Sequence, residues 1–122
     1  MESTFLAVSR FAVPEDEAAG FAPRAHEALA ALAGRPGHVA GRLGRAVDDP
    51  ERWVMVTEWD GVGAYRRALG AFEVRTALIP LYAHSADGSD PEAYAVVTAD
   101  DPGTDRAADA ASAGPEYPRD RP

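Results

Sequence analysis

The chain has no cysteine, no lysine, no asparagine and no glutamine among its 122 residues. Without cysteine there is no disulfide framework, no thiolate nucleophile and no thiolate-ligated zinc. All 12 basic residues are arginine, set against 20 acidic ones, which gives a formal charge of −8 and a pI near 4.7. Nucleic acid and anionic membrane surfaces need a basic field to offset phosphate repulsion, so the shortage of positive charge argues against both as partners. Also missing is any apolar run long enough to span a bilayer, and the polar start Met1-Glu2-Ser3-Thr4 lacks the basic and apolar regions of a signal peptide. A cytoplasmic protein is expected. A hydrophobic content of 46% supports one core, in a chain short enough that burying one further face by association would matter.

What is present reads as alternating strands and helices. Thr4 to Val13 alternates Phe5, Ala7, Ser9 and Phe11 with Leu6, Val8, Arg10 and Ala12, and predicts a first strand. Pro14 with Glu15, Asp16 and Glu17 is a helix start, because proline is tolerated in a first turn and carboxylates favour the positive end of the helix dipole. Ala18, Phe21, Ala22, Ala25, Leu29 and Leu32 then form one stripe, and Pro23 predicts a kinked or two-part helix that stops at Gly34, Pro36 and Gly37. His38 to Val47 predicts a second strand with a bulge or bend at Gly41 and Gly44, and Asp48-Asp49-Pro50-Glu51 a hairpin turn into a third.

That third strand, Trp53 to Thr57, is a β-branched and aromatic run that reads as buried on both faces. Asp60 ends it and is placed to cap a helix carrying Val62, Tyr65, Ala68 and Leu69 on one stripe. Phe72, Val74, Ala77, Leu78 and Leu81 continue a broken stripe as far as Pro80. His84 to Pro91 is a loop, and Tyr94 to Thr98 a short last strand. From Asp100 the chain turns to Asp, Ala, Pro, Gly and Arg, which cannot bury enough surface to offset the entropy of ordering. The expected organisation is one domain over 1–99 and a disordered acidic tail over 100–122. The order βαββαβ implies an α+β, ferredoxin-like antiparallel sheet with two helices on one face. Strands one and three are apolar on both faces, so the uncovered face calls for a homodimer packed sheet to sheet.

The stretch RPGHVAGRLGRAVDDPERWVMVTEWDGVGAYRRALGAFEVRTALIPL resembles the antibiotic biosynthesis monooxygenase domain of actinobacterial proteins. The resemblance covers roughly residues 3 to 98 and rests most on Arg-Pro-Gly before strand two, Asp-Asp-Pro in the hairpin, Thr-Glu-Trp closing strand three, and Ala-Tyr-Arg with Ala-Leu in the helix. It implies a dimeric α+β barrel with a pocket between each sheet and its own helices. Polyketide oxygenases of this family, which work without a cofactor on aromatic phenols, use a Trp at the strand end and a Tyr in the next helix; Trp59 and Tyr65 look like those two. They also carry an Asn on the strand, where this chain has Met55 or Thr57. Haem-degrading members want an Asn in the first strand, a Trp in the helix after strand three and a His on the next helix. Here Ser9 or Phe11, Ala68, and Thr76 or Ala77 stand in those regions, so haem cleavage is not expected.

The implied catalytic set is Trp59, Tyr65 and His84, the last being the best-placed titratable base beside a loop. Met55, Phe72, Tyr82 and His26 are the substrate-binding candidates. The competing reading makes Trp59 and Tyr65 plain core and His84 a solvated loop residue. His26, His38 and His84 never form a close pair, so neither a metal nor another cofactor is expected. The implied function is cofactor-independent oxygenation of an aromatic, polyketide-like phenol. The alternatives are a non-catalytic small-molecule binding protein or companion subunit, and a polyketide cyclase.

Overall fold

The computed structural model describes residues 4–86 and 91–100. Strand β1 (Phe5–Ala12) leads through a short 3-10 turn (Glu15–Glu17) into helix α1 (Ala18–Ala33), and β2 (His38–Arg45) and β3 (Arg52–Trp59) form the hairpin. Helices α2 (Val62–Leu69) and α3 (Phe72–Leu78) and a 3-10 turn (Ile79–His84) lead to β4 (Glu92–Ala95). The sheet order is β2-β3-β1-β4 with every pairing antiparallel, the ferredoxin-like α+β arrangement the sequence predicts.

Register decides which side chains meet the helices. Phe5 pairs with Trp59, Ala7 with Thr57, Ser9 with Met55 and Phe11 with Trp53, so the odd-numbered positions of β1 and β3 share one face. Ala7, Phe11, Met55, Thr57 and Trp59 are buried there under Phe21, Ala25, Ala28 and Leu32 of α1 and Val74 and Leu78 of α3. The opposite face carries Leu6, Val8, Val54 and Val56, all half-buried within the single chain. The expectation that β3 is buried on both faces is therefore corrected: it alternates buried with half-buried residues, because helices cover only one side of the sheet.

Other local expectations shift for identifiable reasons. α1 runs through Pro23 without dividing, and the break falls before it, between the 3-10 turn and Ala18; Pro23 sits on the exposed side. The bulge of β2 lies between His38 and Ala40, one step ahead of the glycines. Asp60 does not cap α2. The N-cap is Gly61, in extended conformation and without a side-chain bond, while the Asp60 backbone N–H donates to the Gly37 carbonyl at 2.8 Å. The helical path does not stop at Pro80 but tightens into the 3-10 turn, whose early positions tolerate a residue with no N–H. β4 begins at Glu92, two residues before the expected strand, and ends at Ala95 because its partner β1 begins at Phe5; the Val96 N–H bond to Thr4 closes the ladder at 2.9 Å. Positions 87–90 of the expected loop and 101–122 of the expected tail lie outside the described residues.

Candidate functional site

Between the helix-facing side of β1 and β3 and the layer above it lies a narrow cavity with about 30 Å³ of free volume, room for one or two waters. Its apolar wall includes Ala7, Phe11, Met55, Leu32, Leu69 and Leu78. Its polar groups are the hydroxyls of Ser9, Thr57, Tyr65, Tyr82 and Ser85 and the Arg10 side chain, which is paired with Glu92, and among the described residues lining it there is no carboxylate or imidazole. Hydroxyls both donate and accept, so the lining suits a ligand oxygen that gains negative charge better than one needing a strong base. The sheet supplies Ser9 and Thr57 through the two-residue period, α2 supplies Tyr65, and the 3-10 turn supplies Tyr82 at the rim, where it is 48% exposed. A larger open groove of about 540 Å³ runs past Arg10, Arg45, Arg52 and Trp53. Arg10 is paired with Glu92, and Arg45 donates to the Pro50 carbonyl while its guanidinium lies 4.8 Å from the Trp53 ring centre. The smaller cavity is the more enclosed of the two, and in it desolvation strengthens each polar contact.

Three rings form a line beside the cavity. Trp59 is completely buried, with its ring centre 5.8 Å from that of Tyr65 and 5.1 Å from that of His38, the latter edge to face. Its indole N–H donates to the Thr57 hydroxyl oxygen at 2.8 Å. Desolvation by burial, with a smaller contribution from Tyr82, raises the Tyr65 phenol above its ordinary value, so Tyr65 is a neutral donor at physiological pH. The sign of the linked stability follows. A raised folded-state value makes the contribution complete below pH 10.0 and lost as pH rises through the folded-state value. Melting curves taken upward from that pH should therefore fall less steeply for Tyr65→Phe than for the wild type, and identical slopes would contradict the buried phenol.

The structure brings together only some of the residues expected at the site. Met55, Tyr65 and Tyr82 line the cavity. Trp59 is not in the lining and reaches the cavity through Thr57, to which its indole donates, and through the Tyr65 ring. His84 is not in the lining but adjoins Ser85, which is; its Nε2 is 2.7 Å from Glu17 Oε1 and its ring packs edge-on against Phe21. Phe72 is 81% exposed at an outer groove with Arg24 and Pro80, and His26 is exposed on α1, so neither reaches the cavity. Ser9, Thr57 and Ser85 also line it but are not among the expected site residues, Thr57 having entered only as one of two positions set against the oxygenases' strand Asn. The signal for the first two was parity: both share the odd-numbered face with Phe11 and Met55.

Among the described residues no group of three or more His, Asp or Glu side chains is arranged to hold a metal ion, and no helix is long and apolar enough to cross a membrane.

Comparison with curated proteins finds no match. Among solved structures, a variant of SnoaB, a cofactor-independent oxygenase from Streptomyces nogalater, with an asparagine replaced by alanine, is 28% identical, with 80% of this chain and 94% of that one covered at a TM-score of 0.64. Another SnoaB structure is 21% identical over 85% of this chain and 100% of that one, at a TM-score of 0.65. A conserved protein from Methanosarcina mazei Go1 is 13% identical over 78% and 92%, at 0.66; at that identity it speaks for the fold alone. The family model for antibiotic biosynthesis monooxygenase matches residues 4–78, a span running from β1 through α3 that includes Thr57, Trp59 and Tyr65, and the chain belongs to that family.

Proposed function

We propose that the protein is a cofactor-independent monooxygenase that oxygenates an electron-rich aromatic phenol in the cavity under Tyr65. The observation that carries this reading is a desolvated, neutral tyrosine among hydroxyls in a cavity whose one charged lining residue is Arg10, in a chain 28% identical to a cofactor-independent oxygenase. An anthrone-type substrate supplies its own reducing power. Loss of a proton from its CH2 gives a carbanion delocalised onto the ketone oxygen across the central ring, an anthrolate; the carbanion passes an electron to O2, and the resulting radicals join in a C–O bond. The hydroperoxide then loses water, so CH2 and O2 become C=O and H2O. Tyr65 donates to the oxyanion while charge is on the substrate. His84, held by Glu17 beside the lining residue Ser85, is the base we assign to receive the proton through water. Met55 and Tyr82 bound the ring system, and Tyr82 must swing outward, because about 30 Å³ does not hold a fused aromatic.

The test is oxygen uptake with a reduced anthrone and no added flavin or metal. Wild type should consume oxygen and form the quinone, and Tyr65→Phe should lower turnover by roughly 100-fold or more at an unchanged melting temperature. A second reading, a binding protein for the same ligand class, is favoured by the absence of a carboxylate or imidazole from the described lining and of asparagine from the chain. Phenol binding without uptake would select it.

We also propose a homodimer packed through the open sheet face, supported by half-buried Leu6, Val8, Val54 and Val56 and by Tyr94, 44% exposed, on that side. Light scattering should give twice the chain mass at micromolar concentration, and Val56→Glu should halve it. A monomeric wild type would remove the proposal.

A further inference from the structure

Apart from the aromatic Trp59 and Tyr65, Thr57 is the only buried residue with a polar side chain among the described residues, 2% exposed, and it lies on the cavity wall. A threonine hydroxyl has one proton to give and two lone pairs to receive. The indole N–H of Trp59 can only donate, and it occupies one lone pair at 2.8 Å. The methyl group is directed toward β2, where a Cβ on Gly41 would lie 3.4 Å from Thr57 Cγ2. The methyl lies on the side of β2 and the oxygen accepts from the indole, and because the indole only donates, the hydroxyl proton cannot be given to Trp59. No described group accepts that proton. A buried donor without an acceptor is a cost that folded proteins rarely carry, and here the residue that carries it lines the same cavity as Tyr65.

We propose that Thr57 is a ligand-contacting residue that donates its hydroxyl proton to the phenolate oxygen of the bound substrate, and that Trp59 is the positioning residue which turns it to do so. This deepens the oxygenase reading and rests on it. Trp59, wholly buried and outside the lining, stands behind Thr57; by occupying one of the two lone pairs it anchors the hydroxyl oxygen and leaves its proton to be donated elsewhere. Tyr65 reaches the same cavity from α2, so donors from the sheet and from the helix layer converge on it. Such a pair of donors favours an ionised phenol over its neutral form, because hydrogen bonds to a charged oxygen are the stronger ones. The arrangement selects substrates whose reacting oxygen is acidic, and gives little to ethers in which that oxygen is methylated.

The test reads ionisation of a bound phenol, not turnover. Para-nitrophenol absorbs visibly only when ionised, so its pKa on the protein can be titrated in wild type, Thr57→Val, Thr57→Ser and Trp59→Phe, with melting curves as the folding control. Wild type should bind it with a pKa below the free value. Thr57→Val should raise the bound value by about one to two pH units, the size of one lost hydrogen bond to a charged group; Thr57→Ser should restore it. Trp59→Phe should raise it while leaving Thr57 in place, and it keeps the test alive if Thr57→Val does not fold. Unchanged bound pKa values in Thr57→Val and Trp59→Phe would overturn the role of Thr57 and leave the phenol site standing. Failure of the folded wild type to bind para-nitrophenol at any pH would overturn both.

Discussion

Trp59→Ala is expected to lower the stability of the fold by about 3 to 5 kcal/mol, the usual range for truncating a fully buried large aromatic. Trp59 is completely buried at the end of β3, packed against the rings of His38 and Tyr65, and holds Thr57 through its indole N–H. Truncation removes the packing, opens a void and leaves a buried hydroxyl without its donor. In a domain of this size the loss should appear as a fall in melting temperature of well over about 10 °C. Tyr65→Phe should show almost no fall, because it keeps the ring and removes a hydroxyl that makes no described hydrogen bond. Scanning calorimetry of the two variants separates scaffold from site; equal losses would mean that Trp59 and Tyr65 share one role.

The second large effect lies outside the cavity, at Gly37. Its φ of +88° is a conformation that side chains disfavour, and a Cβ there would sit 2.4 Å from the Cβ of Ala64 in α2. The close approach is fixed from the other side by the Asp60 N–H bond to the Gly37 carbonyl, so the entry to β2 and the start of α2 are pinned together. Gly37→Ala meets both penalties, about 1 to 2 kcal/mol for the backbone and about 1 to 3 for the overlap, and should destabilise by about 2 to 5 kcal/mol. Because this junction carries α2, and α2 carries Tyr65, the variant should also loosen the cavity. A melting temperature equal to wild type would show that the junction yields.

The architecture was legible because β1 and β3 keep their two-residue period against the helical stripes, and because Asp48, Asp49 and Pro50 announce the hairpin. Features set by a neighbour were less visible. The end of β4 is fixed by where β1 begins, and Asp60 is held by Gly37 rather than by the helix it precedes. The lining of the cavity was half legible. Met55, Tyr65 and Tyr82 follow from the strand–helix junction and the family resemblance. Phe72 was misplaced because the break at Gly70 and Ala71 resets the stripe to Val74 and Leu78; two helical residues before Val74 is a turn of about 200°, onto the solvent side. His26 follows Ala25 by one residue, just outside the stripe of Ala25, Ala28 and Leu32. Trp59 drew attention by its size, whereas the group at the wall is Thr57, whose role depends on a hydrogen bond that spacing alone does not reveal.

The most direct measurement is the incorporation of isotopically heavy O2 into product by metal-stripped, flavin-free protein given a reduced anthrone. The account predicts a quinone carrying one heavy oxygen atom in the newly formed carbonyl, at a rate proportional to wild-type protein and sharply reduced in Tyr65→Phe of equal stability. Product formed no faster than without protein, or equally fast with Tyr65→Phe, would contradict it.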